Sequence, residues 1–122
     1  MKYTAPSLPR ASFLLAICWF CCRGSASADV IINEVMYHPA SQNLLECYVE
    51  LRNTGSTATN ISGWRLTKGV SFTFPTNTML NAGAYLVVAA DKTAFTNKYP
   101  AVANYVAGWT GSIGHHVQLE NV

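Results

Sequence analysis

The sequence lacks an apolar run long enough to cross a membrane: the stretch from Phe13 to Cys22 has about half the ~20 residues that a spanning helix needs. It has no internal repeat and no low-complexity tract, which sets aside solenoids, arrays and compositionally biased segments. No Gly-x-Ser-x-Gly, Gly-x-Gly-x-x-Gly or phosphate loop occurs, so there is no nucleophile elbow and no nucleotide cradle. Sustained helical periodicity is missing as well, which leaves strands as the source of any core.

What is present begins with a targeting segment. Lys2, Arg10 and Arg23 flank the Phe13–Cys22 stretch, which has the length of a signal core, and Ala26-Ser27-Ala28 supplies a small-residue cleavage site. Residues 1–28 are therefore read as a signal peptide and 29–122 as one domain, secreted into the extracellular or periplasmic space. A lipid-anchored start would need a cysteine directly after small residues, whereas Cys18 follows Ile17 and Cys21-Cys22 follow Trp19-Phe20. No stable membrane insertion is expected.

Removing that segment changes charge and redox chemistry together. The whole chain carries eight lysines and arginines against six acids, a formal charge of +2. Cleavage leaves Arg52, Arg65, Lys68, Lys92 and Lys98 against Asp29, Glu34, Glu46, Glu50, Asp91 and Glu120, and the balance turns to −1. Electrostatic recruitment of nucleic acid loses its support. Of four cysteines only Cys47 remains, so no internal disulfide can form, and Cys47 is expected to be a small buried residue rather than a reactive thiol.

The remaining chain reads as short strands bounded by Gly, Pro, Asn and Ser. Val30 to Tyr37 runs up to His38-Pro39. Tyr48 to Arg52 alternates, with Val49 and Leu51 on one face and Tyr48, Glu50 and Arg52 on the other. Trp64 and Leu66 share a face opposite Arg65 and Thr67, Phe72 and Phe74 do the same, and Lys68-Gly69 suits a hairpin between them. Tyr85 to Ala89 is apolar on both faces and is expected to be central. Asp91 caps a helix of about two turns ending before Pro100, expected over one end of the sheet. Tyr105-Val106 and Gly108 to Gly111 read as connection, and Val117 to Leu119 begins a further strand. The pattern predicts an all-β sandwich with one short helix and no parallel sheet, its core built from Val49, Leu51, Trp64, Leu66, Phe72, Phe74, Leu86 and Val88.

Four segments in this order and spacing resemble the lamin tail domain family of bacterial secreted proteins. They are Val30 to Pro39, Glu46 to Gly55, Ile61 to Leu66, and Phe72-Thr73-Phe74-Pro75 through Ala89. The resemblance spans Asp29 to Leu119. It implies an immunoglobulin-like sandwich with no catalytic activity or cofactor of its own, a module that often accompanies nucleases, phosphoesterases or spore-coat-protein-H-like kinases. Such domains generally continue for another strand or two, so the domain is expected to lack its last strands, with edge-strand self-association as a consequence.

Candidate chemistry is sparse. Glu34 and Glu50 can meet across adjacent strands, as an acid/base or Ca²⁺ site would require, but one or the other is expected to pair with Arg52 or Arg65, or to cap exposed backbone near a loop. His115 and His116 point to opposite faces of a strand and have no third ligand at metal spacing. Among the aromatics, Tyr48 is the one expected to be exposed, so Tyr48, Glu50 and Arg52 form the candidate contact surface. The expected function is a non-catalytic interaction or structural module binding a protein or a cell-envelope polymer. The alternative is an accessory domain at the N-terminus of a larger secreted enzyme, a kinase or nuclease of the kinds named.

Overall fold

A computed structural model describes residues 29–114 and 116–121; the signal segment read from the sequence, His115 and Val122 lie outside them. The chain runs through β1 (Val30–Met36), a 3₁₀ turn (Leu44–Glu46), β2 (Tyr48–Asn53), β3 (Thr59–Asn60), β4 (Arg65–Thr67), β5 (Val70–Thr73), β6 (Met79–Leu80) and β7 (Tyr85–Ala89). Helix α1 (Lys92–Lys98), β8 (Tyr105–Ala107), β9 (Thr110–Gly111) and β10 (Gln118–Glu120) follow. Two sheets result, ordered β1-β2-β7-β8 and β10-β4-β5-β9, and β3 pairs with β6 beside them.

The alternation in sequence becomes the packing between these sheets. Val49 and Leu51 of the first sheet and Leu66 of the second are wholly buried, together with Val88 and, between strands, Ile61. Trp64 and Phe74 join the same cluster, each less than a tenth exposed, while Phe72 and Leu86 are half-buried at its margin. Each such aliphatic or aromatic side chain contributes about 1.5–3 kcal/mol on leaving water. Lys68 and Gly69, both at positive φ (65° and 101°), lie in the hairpin connection between β4 and β5, whose register sets Leu66 opposite Phe72.

Three features differ from the sequence reading or go beyond it. Tyr105–Ala107 is a strand rather than connection, and it pairs with β7 in parallel. A crossover through the seven-residue α1 is enough to bring it there, so one parallel pair exists without a long helix. Thr110–Gly111 likewise pairs with β5. Finally, the sequence leaves open which face α1 covers, and it lies against the outer face of the first sheet, at the Tyr48 and Ala89 end. Phe95, 1% exposed, packs on Val87 and Ala89, the outward-facing residues of β7, and forms a second apolar cluster with Tyr48, Tyr99 and Tyr105 around it.

Candidate functional site

The outer face of β2 presents Tyr48, Glu50 and Arg52 at every second position, all half-buried. Register across β2 and β7 sets Tyr48 opposite Ala89, Glu50 opposite Val87 and Arg52 opposite Tyr85. On the other side, β1 shifts register between Ile32 and Glu34. Ile32 and Val35 both turn to the core, three residues apart, and a strand period of two allows this only if one extra residue, Asn33, bulges out. The bulge brings Glu34 directly opposite Glu50 on the outer face.

Among the described residues neither carboxylate has an arginine partner. Glu34 accepts a hydrogen bond from the Tyr48 hydroxyl at 2.7 Å, and Glu50 accepts one from the Asn33 amide at 2.7 Å. Arg52 lies instead over the Tyr85 ring, 5.3 Å from its centroid, where the cation meets the electron-rich face. Its Nε is buried without a hydrogen-bond partner. Among the described residues the one ion pair is Lys98–Glu46, 3.4 Å, which ties α1 to the 3₁₀ turn. The Glu46 carboxyl is held below its ordinary value by the Ser41 hydroxyl, with Lys98 adding to the effect against some opposing burial.

Tyr48 is less free than its strand position suggests. Its ring meets Phe95 and Tyr99 edge to face at 5.9 and 5.7 Å, so α1 covers it. Burial pushes the Tyr48 phenol well above its ordinary range, and the Glu34 carboxylate adds to the shift. The exposed tyrosines are Tyr37 (62%) and Tyr85 (39%). The sequence missed Tyr85, which alternation does place outward on β7, because the strand as a whole reads as buried on both faces.

Between Tyr48 and Tyr85 the outer face holds a hollow of about 350 Å³. Glu50 and Val87 lie on its strand side, Phe95 and Tyr99 border it from α1, and Ala101, Val102 and Asn104 border it from the segment leading to β8. Asn104 is fixed there because its amide donates to the Tyr85 carbonyl. A smaller hollow of about 170 Å³ lies where the chain leaves β1, ringed by Tyr37, Leu44 and Leu45, with Cys47 among its lining. Burial pushes the Cys47 thiol up, and the thiol is 3.6 Å from the Tyr37 carbonyl oxygen that accepts from it. This second hollow is apolar and offers no charged group.

No three His, Cys, Asp or Glu side chains gather among the described residues in a way that could hold a metal ion. His38 and His116 are exposed and stand apart from the hollow on the outer face. No helix among the described residues is long and apolar enough to cross a membrane.

The family model for the Lamin Tail Domain matches residues 23–121. The chain belongs to the lamin tail domain family. No curated protein matches it significantly. Membership agrees with the architecture described above: an immunoglobulin-like, all-β sandwich with one short helix, which links β7 to β8 within the first sheet. In this lamin tail domain the helix and the β8 crossover cover only part of the outer face, and the aromatic and acidic hollow lies in the part they leave uncovered.

Proposed function

We propose that this lamin tail domain is a secreted, non-catalytic interaction module that binds a protein or cell-envelope partner through the outer face of its first sheet. The observation that carries the reading is the hollow itself. It joins aromatic walls to one carboxylate at the lower end of the size range of ligand pockets, on a rigid sheet rather than a loop. Glu34 and Glu50 accept from a phenol and an amide, and the phenol is covered by α1 and pushed above its ordinary range by burial, which supports a recognition role over acid–base work. Secretion rests on the signal pattern of residues 1–28.

The test uses the full chain and its Tyr85→Ala and Glu50→Gln variants, which alter exposed or half-buried side chains of the face without touching the core. Adsorption to purified envelope polymers and to immobilised envelope proteins is measured beside thermal melting. Binding lost in both variants at unchanged melting supports the proposal; equal retention by all three proteins refutes it. N-terminal sequencing of exported protein checks the secretory part, with a start at Asp29 expected and a lipid-bearing start at Cys21 or Cys22 contradicting it.

A further inference from the structure

We propose that the outer-face hollow receives a primary ammonium group on an apolar stem, and that its occupant is a lysine side chain of a partner polypeptide. This rests on reading the hollow as the binding site and adds the chemistry of what enters it.

Charge is the first argument. Glu34 and Glu50 stand directly opposite each other on an antiparallel pair, where like charges repel. Among the described residues neither has a cation within ion-pair distance, and each is held by a neutral donor only. The cation on the same face of β2, Arg52, is stacked on Tyr85 and does not line the hollow. Glu50 does line it, and its Oε2 takes no hydrogen bond from the described residues. A positive group entering beside Glu50 would meet an open carboxylate oxygen and reduce the repulsion with Glu34.

The walls supply the second argument. Tyr99 borders the hollow together with Tyr85, one face of which Arg52 occupies, and aromatic rings attract ammonium groups within about 6 Å of their centroids. Val87, Ala101 and Val102 offer the apolar surface against which the methylenes of a lysine stem pack while its head reaches a polar group. A sugar ring fits the polar inventory less well. It brings several hydroxyls that each need a partner once dehydrated. Two of the hollow's polar groups are already occupied: the Tyr48 hydroxyl donates to Glu34, and the Asn104 amide donates to the Tyr85 carbonyl. The Tyr85 and Tyr99 hydroxyls and Asn104 Oδ1 stay open among the described residues, but a neutral sugar leaves the charge of the Glu34–Glu50 pair unanswered, and an alkylammonium answers it.

The experiment titrates the ¹⁵N-labelled full chain with Nα-acetyl-lysine methylamide, its uncharged counterpart Nα-acetyl-norleucine methylamide, glucosamine and N-acetylglucosamine. The lysine amide is expected to shift the amides of Glu50, Tyr85, Val87 and Tyr99 saturably and to bind at least about tenfold more tightly than the norleucine amide. Glu50→Gln should abolish that preference, and added salt should weaken it. Equal binding of the lysine and norleucine amides, or an unchanged preference in Glu50→Gln, overturns the ammonium claim while leaving the hollow a binding site. Tighter binding of glucosamine than of the lysine amide overturns lysine as the source. If N-acetylglucosamine alone binds, the hollow is a neutral-sugar site and the proposal falls. If no probe shifts these amides, both the proposal and the reading beneath it fall.

Discussion

Asn53 is the buried polar residue of this domain, wholly inaccessible at the end of β2. Its Nδ2 donates to the carbonyls of Leu80 (2.9 Å) and Thr57 (2.8 Å), and its Oδ1 accepts from the Gly55 N–H (2.9 Å). One side chain thus ties β2 to β6 and holds the turn that follows β2. Truncation in Asn53→Ala removes the buried bond to the Leu80 carbonyl and leaves the space of the amide unfilled, at about 1–3 kcal/mol, and removes two partly buried bonds at about 0.5–1.5 kcal/mol each. The expected loss is about 2–6 kcal/mol, a large part of the ~5–15 kcal/mol that holds an ordinary domain. For a domain of this size that corresponds to a melting shift of about 10–30 °C. Asn53→Asp keeps the size but replaces two N–H donors with a carboxylate facing two carbonyl oxygens. Burial there raises the folded-state pKa above the unfolded value of about 3.9. The variant's stability is therefore lowest at neutral pH and recovers as pH falls through that raised value, because the protonated acid can donate again. The assay is chemical denaturation at pH 7 and pH 5, with Asn60→Ala as control. Asn60 is exposed and bonds only locally to Ser62, so its loss should stay under about 1 kcal/mol. If Asn53→Ala falls within about 1 kcal/mol of the unaltered protein, or Asn53→Asp weakens further on acidification relative to Asn53→Ala, the argument is wrong.

Trp64→Ala should cost about 3–5 kcal/mol and Arg65→Ala under about 1 kcal/mol, because the first is buried in the inter-sheet core and the second is exposed without an ion pair among the described residues; equal losses in denaturation would reverse the two faces. Gly108→Ala and Gly111→Ala both place alanine at positive φ (101° and 85°), but a Cβ on Gly108 meets open space while one on Gly111 overlaps the Gly69 carbonyl oxygen. The first should lose about 1–2 kcal/mol and the second at least about 1 kcal/mol more by thermal melting, and the reverse order would refute the close approach of β9 to the β4–β5 hairpin. Native Cys47 should alkylate at pH 8 far more slowly than the same cysteine in urea-unfolded chain, since burial first and the neighbouring Glu46 second disfavour its thiolate. Pulse alkylation with peptide mapping measures this, and equal rates would show that the thiol is accessible.

Much of the sandwich was legible because strand alternation states which residues must leave water. Val49 and Leu51, Trp64 and Leu66, and the Lys68-Gly69 hairpin follow from period and turn chemistry alone. The β1 bulge is less legible, since an inserted residue declares itself only when two core positions prove to be three apart, and that requires knowing the core face in advance. Strand β8 was missed for a related reason. A three-residue strand paired on β7 by backbone bonds leaves too short a stretch to show a period.

The candidate site was half legible, and the missing half is a question of coverage. Tyr48, Glu50 and Arg52 were placed on one face correctly, but a period of two cannot say whether that face meets water or another layer. The answer was written in β7, where Val87 and Ala89 are apolar on the side facing away from the sandwich core. Outward apolar residues on a central strand require a cover, and α1 supplies it through Phe95, which buries the Tyr48 end. Two residues further along the same face the pattern changes to Glu50, Arg52 and Tyr85, whereas the helix keeps its C-terminal end at the Tyr48 end, through Lys98 on Glu46 and Tyr99 on Tyr48. The hollow follows from that placement. A sheet face that stays partly apolar beyond the reach of its covering helix leaves aromatic edges beside a carboxylate, which is a surface suited to a partner's side chain.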